Sequence, residues 1–105
     1  MDMQQMMRQA QKMQQELAKT QEKLSQTEVS ASAGGGMVKV VGTADGKITS
    51  ITIDPEALDP EDVDLLQDTI LAAVNECLDS AQDVANQQMR GVAGGMNLPN
   101  IPGLF

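Results

Sequence analysis

Histidine, tryptophan and tyrosine are missing from this 105-residue chain, phenylalanine occurs once, at Phe105, and cysteine once, at Cys77. Each absence removes a class of function. Without histidine there is no imidazole to move protons or to share a zinc ion with cysteine, and one thiol cannot close a disulfide within the chain. Without aromatic rings there is no platform on which single-stranded bases stack and no cage for a quaternary cation. Long hydrophobic runs are lacking too. No stretch approaches the ~20 apolar residues that cross a bilayer, and glutamine interrupts every apolar run near the start, so neither a membrane span nor a signal peptide is expected. The expected setting is the cytoplasm.

What remains is an aliphatic chain, 41% hydrophobic, long enough for one domain with a modest core. We expect that domain over residues 1–90, followed by a flexible Gly/Pro-rich tail over residues 91–105, "GVAGGMNLPNIPGLF". The formal net charge is −8, which taken alone argues against nucleic acid. Its distribution argues differently. Residues 1–27 carry Arg8, Lys12, Lys19 and Lys23 against Asp2, Glu16 and Glu22, whereas residues 54–90 hold ten acids and a single base, Arg90.

Residues 2–27 contain no glycine or proline and are dominated by strong helix formers, so a first helix is expected there. Its apolar or small positions Met3, Met6, Ala10, Met13, Leu17, Thr20, Leu24 and Thr27 alternate by three and four, which is the repeat of a helix-pairing seam. Met3, Met6, Met13, Leu17 and Leu24 are its packing residues, expected to bury against the body or a second copy. At that spacing methionine is a gap-filling packing residue rather than a copper(I) ligand.

Three short strands follow. Val29, Ala31 and Ala33 alternate, Val38 and Val40 share a face, and Thr49, Ile51 and Ile53 alternate after a turn. Asp45 and Gly46 mark a type I′ hairpin between the second and third strands. Gly34, Gly35 and Gly36 make a hairpin connection, since no "GK[ST]" follows them and no helix begins there. The second helix is expected to open on Asp59 as N-cap with Pro60 in the first helical position, and to stop at Gly91. Its apolar stripe runs Val63, Leu66, Ile70, Ala73, Cys77, Ala81 and Val84, widened by Leu71, Val74 and Leu78. Helices of about 26 and 31 residues make rods of roughly 39 and 46 Å, longer than the roughly 34 Å width of a compact chain of this size. Together with the spare face of a three-stranded sheet, this favours a homodimer.

No enzyme chemistry emerges. The acids Asp59, Glu61, Asp62 and Asp64 coincide with a helix start, where capping explains them, and Cys77 lies on an apolar stripe with no base to activate it. No cofactor, metal or small-molecule substrate is expected. The first helix holds the informative pattern: at 100° per residue Arg8, Lys12, Lys19 and Lys23 fall within roughly 60°, about 130° from the methionine seam. Two readings fit that stripe, a solvated face paired to glutamates one turn away and a phosphate-binding surface.

The segments "MMRQAQKMQQELAKTQEKL", "GGGMVKVVGTADGKITSITIDP", "LDPEDVDLLQDTILAAVNECLDSA" and "GGMNLPNIPGLF" together resemble the YbaB/EbfC family of bacterial nucleoid-associated proteins across nearly the whole chain. The resemblance implies an α+β fold: an alpha-beta(3)-alpha protomer with a three-stranded antiparallel sheet between long helices, forming a tweezer-like homodimer in the nucleoid. It also implies binding of double-stranded DNA with little sequence preference, in chromosome organisation or regulation of expression. The gripping residues would be Arg8, Lys12, Lys19, Lys23 and Arg90. The far end of the second helix, "AQDVANQQMRG", departs from that pattern by holding one base. The alternative is a helical protein–protein interaction module with weak or no DNA binding.

Overall fold

The computed structural model describes residues 2–95. In chain order it contains α1 (Met3–Gln26), β1 (Glu28–Ala33), β2 (Val38–Thr43), β3 (Lys47–Ile53), a single 3₁₀ turn (Pro55–Ala57) and α2 (Val63–Gly95). The three strands form one antiparallel sheet in the order β1-β2-β3. This is the expected alpha-beta(3)-alpha arrangement.

The core follows from strand alternation and from the small residues of α2. Ala31 faces Val40, Ala33 faces Val38 and Val29 faces Gly42, so these side chains share one face of the sheet. Val38 and Val40, on the central strand, are wholly buried. Across that face lies α2, whose Ala73, Cys77 and Ala81 join the same buried cluster, with Leu66, Ile70 and Val74 at its margin. Short side chains along the contact line bring the helix axis close to the sheet. The helix lies over β1 and β2 and scarcely reaches β3. Ile51, on the core-side face of β3, is therefore 47% exposed. Val63 and Leu71, read from sequence as part of the apolar stripe, are also exposed. The opposite face of the sheet carries exposed Ser30, Ser32, Lys39, Ser50 and Thr52, the polar face of a one-sided antiparallel sheet.

One register break changes which residues of β3 serve the core. Val41 pairs with Ser50 but the next residue, Gly42, pairs with Ile48, so Thr49 is the extra residue of a β-bulge. Thr49 Oγ1 donates to the Val41 carbonyl at 3.2 Å. The simple alternation Thr49, Ile51, Ile53 is thus wrong at its first member: Ile48 is the half-buried residue and Thr49 is exposed. The hairpin forms where expected, but its loop holds three residues, Ala44, Asp45 and Gly46, between Thr43 and Lys47. Gly46 donates to the Thr43 carbonyl at 2.9 Å and has φ +91°. A three-residue loop closed by a left-handed glycine replaces the two-residue type I′ turn. Gly46→Ala has open space for its methyl but not an allowed φ, and is expected to cost about 1 kcal/mol, read as a small drop in the thermal midpoint.

The start and end of α2 also differ from expectation. Asp59 Oδ1 accepts from the Glu61 amide at 2.9 Å and its carbonyl from the Asp62 amide at 3.0 Å, which makes an isolated turn around Pro60. Asp62 then takes the capping role, accepting from the Leu65 amide at 3.4 Å, and the helix begins at Val63. At the other end the helix passes through Gly91 and continues to Gly95, so Gly91 is not its stop. The remainder of the expected Gly/Pro-rich tail lies outside the described residues.

The molecule is a rod. Its extents are 69 × 27 × 16 Å with a radius of gyration of 19.5 Å, against about 13 Å for a compact chain of this length. Both long helices contribute: α2, at 33 residues, is itself about 50 Å long, and α1 runs out from the body. The C-terminal half of α1 docks through Thr20 and Leu24, which are buried, beside Val84 and Ala85 of α2. The Thr20 hydroxyl donates to the Glu16 carbonyl at 2.8 Å, so it enters the interior with its hydrogen bond made. Leu17 is half-buried, and beyond it the helix leaves the body: Met3 is 78% exposed, and Met6, Met7 and Met13 are exposed as well. The expected seam therefore divides within one protomer. Leu17 and Leu24 pack, while Met3, Met6 and Met13 stand on a projecting arm. Among the described residues no helix is long and apolar enough to cross a membrane.

Candidate nucleic-acid interface

The site is built on α1, and the ends of that helix are set by its own side chains. Asp2 caps the start, its Oδ1 accepting from the Gln5 amide at 2.8 Å, and Thr27 closes the end. Lys23 in the last turn complements the negative end of the helix dipole. Between these caps the helix is unbroken, so the angular reading made from sequence transfers to the structure. Arg8, Lys12, Lys19 and Lys23 lie on one side over roughly 22 Å of helix, and all four are exposed.

The fold divides the stripe into two pairs. Lys19 and Lys23 line a cleft of about 300 Å³ with Glu16 and Thr20 from their own helix and Gln88 and Gly91 from α2. Residues 16–23, in the C-terminal half of α1, thus face residues 88–91 near the end of α2. Arg90, exposed, lies between Gln88 and Gly91 in the chain, so a second helix brings a fifth cation to the same end of the molecule. Arg8 and Lys12 stand farther out. At 1.5 Å per residue they are roughly 16 and 10 Å beyond Lys19, on the arm, where both are exposed among the described residues.

Glu16 lines the cleft beside Lys19 and Lys23, whereas the acids that precede α2 lie at the far end of that helix. Asp59 and Asp62 are engaged in the turns that open α2, and Asp54 caps the 3₁₀ turn by accepting from the Glu56 amide at 2.9 Å. These groups gather at the end of the rod opposite the arm. Cys77 is wholly buried, its Sγ 3.9 Å from the Val29 carbonyl, and burial pushes its thiol above the ordinary value. A thiol held protonated inside a helix–sheet contact is a packing group. Among the described residues no three Cys, Asp or Glu side chains are arranged to hold a metal ion.

Two cations escaped the reading from sequence. Lys39 and Lys47 are exposed on the outward face of the sheet, across from Ser32, Thr52 and Thr43. Strand alternation carried the signal for Lys39, since Val38 and Val40 on either side must point inward. These lysines belong to the body of the rod and not to the arm.

The pattern of the YbaB/EbfC DNA-binding family matches residues 1–96. A nucleoid-associated protein of Pelotomaculum thermopropionicum is 54% identical over 104 residues, covering 99% of this chain and 96% of that protein. Another nucleoid-associated protein, from Nocardia farcinica, is 43% identical over 102 residues, covering 97% of this chain and 93% of its own. The crystal structure of an uncharacterized protein from Helicobacter pylori has the same fold, with a TM-score of 0.72 at 26% identity, covering 91% of this chain and 97% of that one.

Proposed function

Since the chain belongs to the YbaB/EbfC DNA-binding family, we propose that it works in the nucleoid as a homodimer that grips double-stranded DNA with little sequence preference, in chromosome organisation or regulation of expression. One observation carries the reading: four exposed cations share one side of a helix that runs out past the body, with Arg90 at the same end. Contacts of this kind neutralise phosphates and carry no sequence information. The duplex is favoured over single strands because the chain has no tyrosine or tryptophan and its one phenylalanine is the last residue. The net charge of −8 is unevenly spread: seven of the fifteen acids lie within residues 54–68, around the start of α2, so the arm is less negative than the chain as a whole.

The homodimer is supported by surface that one protomer leaves bare. Among the described residues, Met3, Met6 and Met13 repeat along one side of the arm as exposed side chains, and Ile51 is exposed on the core-side face of β3. Two copies related by a twofold axis would bury such surface in a self-complementary contact and set two cation stripes on one duplex.

The test is a mobility-shift assay at low salt on random-sequence duplex DNA, comparing the native protein with a variant in which Arg8, Lys12, Lys19 and Lys23 are all changed to Gln. These side chains are exposed and glutamine suits a helix, so the fold should be unaffected. The native protein is expected to retard the duplex and the variant to leave it free at the same concentration. Equal retardation by both, or none by the native protein, would overturn the reading.

A further inference from the structure

The rod has a second prepared surface at the end away from the arm. Where the β1–β2 turn meets the start of α2, Met37, Ala57 and Leu66 floor a cleft of about 300 Å³, and Glu56, Asp59 and Asp62 stand around it. Beside it Leu58 and Leu65 are 58% and 61% exposed. Residues 54–68 hold seven carboxylates and no base, and only three of them, Asp54, Asp59 and Asp62, have capping or turn roles. An apolar floor with an acidic rim is complementary to an amphipathic helix bearing methionine and basic side chains.

The chain carries such a helix at its other pole. On the arm Met7 is exposed about 100° around the helix from the centre of the methionine seam and, on its other side, about 100° from Arg8, with Lys12 about 40° beyond Arg8. Met6 and Met13 of the seam thus remain free for the symmetric dimer, while the side of the arm from Met7 round to Lys12 is open. We infer that the acidic cleft of one copy receives the α1 arm of another, with Met7 toward the apolar floor and Arg8 and Lys12 against Glu56, Asp59 and Asp62.

Donor and acceptor sit at opposite poles of one molecule, so the contact is heterologous. It repeats from copy to copy as an open chain and is distinct from the closed, symmetric dimer. It needs no DNA and stands independently of the DNA reading. If that reading also holds, the two compete, because Arg8 and Lys12 cannot serve a carboxylate and a phosphate together.

Charge exchange tests the contact by sedimentation velocity without DNA, at about 20 mM and about 300 mM salt. One variant reverses the cleft (Glu56→Lys, Asp59→Lys, Asp62→Lys), the other reverses the arm (Arg8→Glu, Lys12→Glu); circular dichroism checks that both fold. At low salt the native protein should form species heavier than its smallest species at high salt. Each variant alone should associate at least about tenfold more weakly, because like charges then face each other. An equimolar mixture should associate again, since each cleft then meets an opposite arm. Native protein that keeps its high-salt mass at low salt, a cleft variant that associates as the native does, or a mixture no heavier than its parts would overturn the inference. Failure of the DNA reading would appear separately, in the mobility-shift assay.

Discussion

Raising the salt from about 50 to about 200 mM is expected to weaken DNA binding by about 10⁴-fold if the dimer neutralises phosphates with all eight cations of its two stripes. The slope of log affinity against log salt would then be about −7, from roughly 0.9 per phosphate on a duplex. Fluorescence anisotropy on a labelled duplex measures it directly. The slope also reports each residue. Changing one lysine of the stripe to Gln removes two cations from a dimer and should flatten the slope by about 1.8, by similar amounts on unrelated sequences. A slope near zero, or a loss confined to one sequence, would mean that phosphate contact is not what holds the duplex.

The largest effect on folding is expected at Gly42. A methyl built there would lie 2.6 Å from the Lys47 carbonyl oxygen and 3.4 Å from both Cys77 Sγ and Ile48 Cδ1. The two side chains can shift, but the carbonyl belongs to the bulge that sets the pairing of β3. Gly42→Ala should therefore cost about 3 kcal/mol, the upper part of the range for overpacking a core. For a domain this small the thermal midpoint would fall by roughly 10–20 °C at fixed protein concentration. Gly35→Ala is the control, with nothing within 4 Å of the added carbon and φ +68° its only penalty. A Gly42 variant as stable as the Gly35 variant would show that the bulge rearranges at little cost.

Most of this fold was legible in the sequence because its signals were local. The first helix was bounded by Asp2 and Thr27, and the structure has them as its caps. The strands announced themselves by alternation, and Gly46 by its turn chemistry. What escaped was decided by competition or by distance. Asp59-Pro60 reads as a helix start but begins only a turn, and Asp62, three residues on, accepts from the Leu65 amide where the helix begins. The bulge opposite Gly42 could not be foreseen from the period of β3, since alternation alone does not say where a strand takes an extra residue. The cation stripe was visible from spacing alone. That its two halves stand differently, Lys19 and Lys23 beside α2 and Arg8 and Lys12 in the open, depends on where α1 leaves the body, which no periodicity states.

The departure of α1 from the body also accounts for the composition of the arm. Among the described residues nothing of the protomer buries residues 3–15, so within one protomer this stretch of helix is held chiefly by the conformational preference of its own residues. Residues 3–15 are methionine, glutamine, arginine, lysine and alanine throughout, all unbranched at Cβ and all strong helix formers. Glutamine is suited to this, since it supports the helix without adding charge that would repel a ligand or apolar surface that would attract a wrong partner. The first β-branched residue of α1 is Thr20, which is also its first buried one. The arm is a self-supporting strut, and its sequence changes character where the body begins to support it.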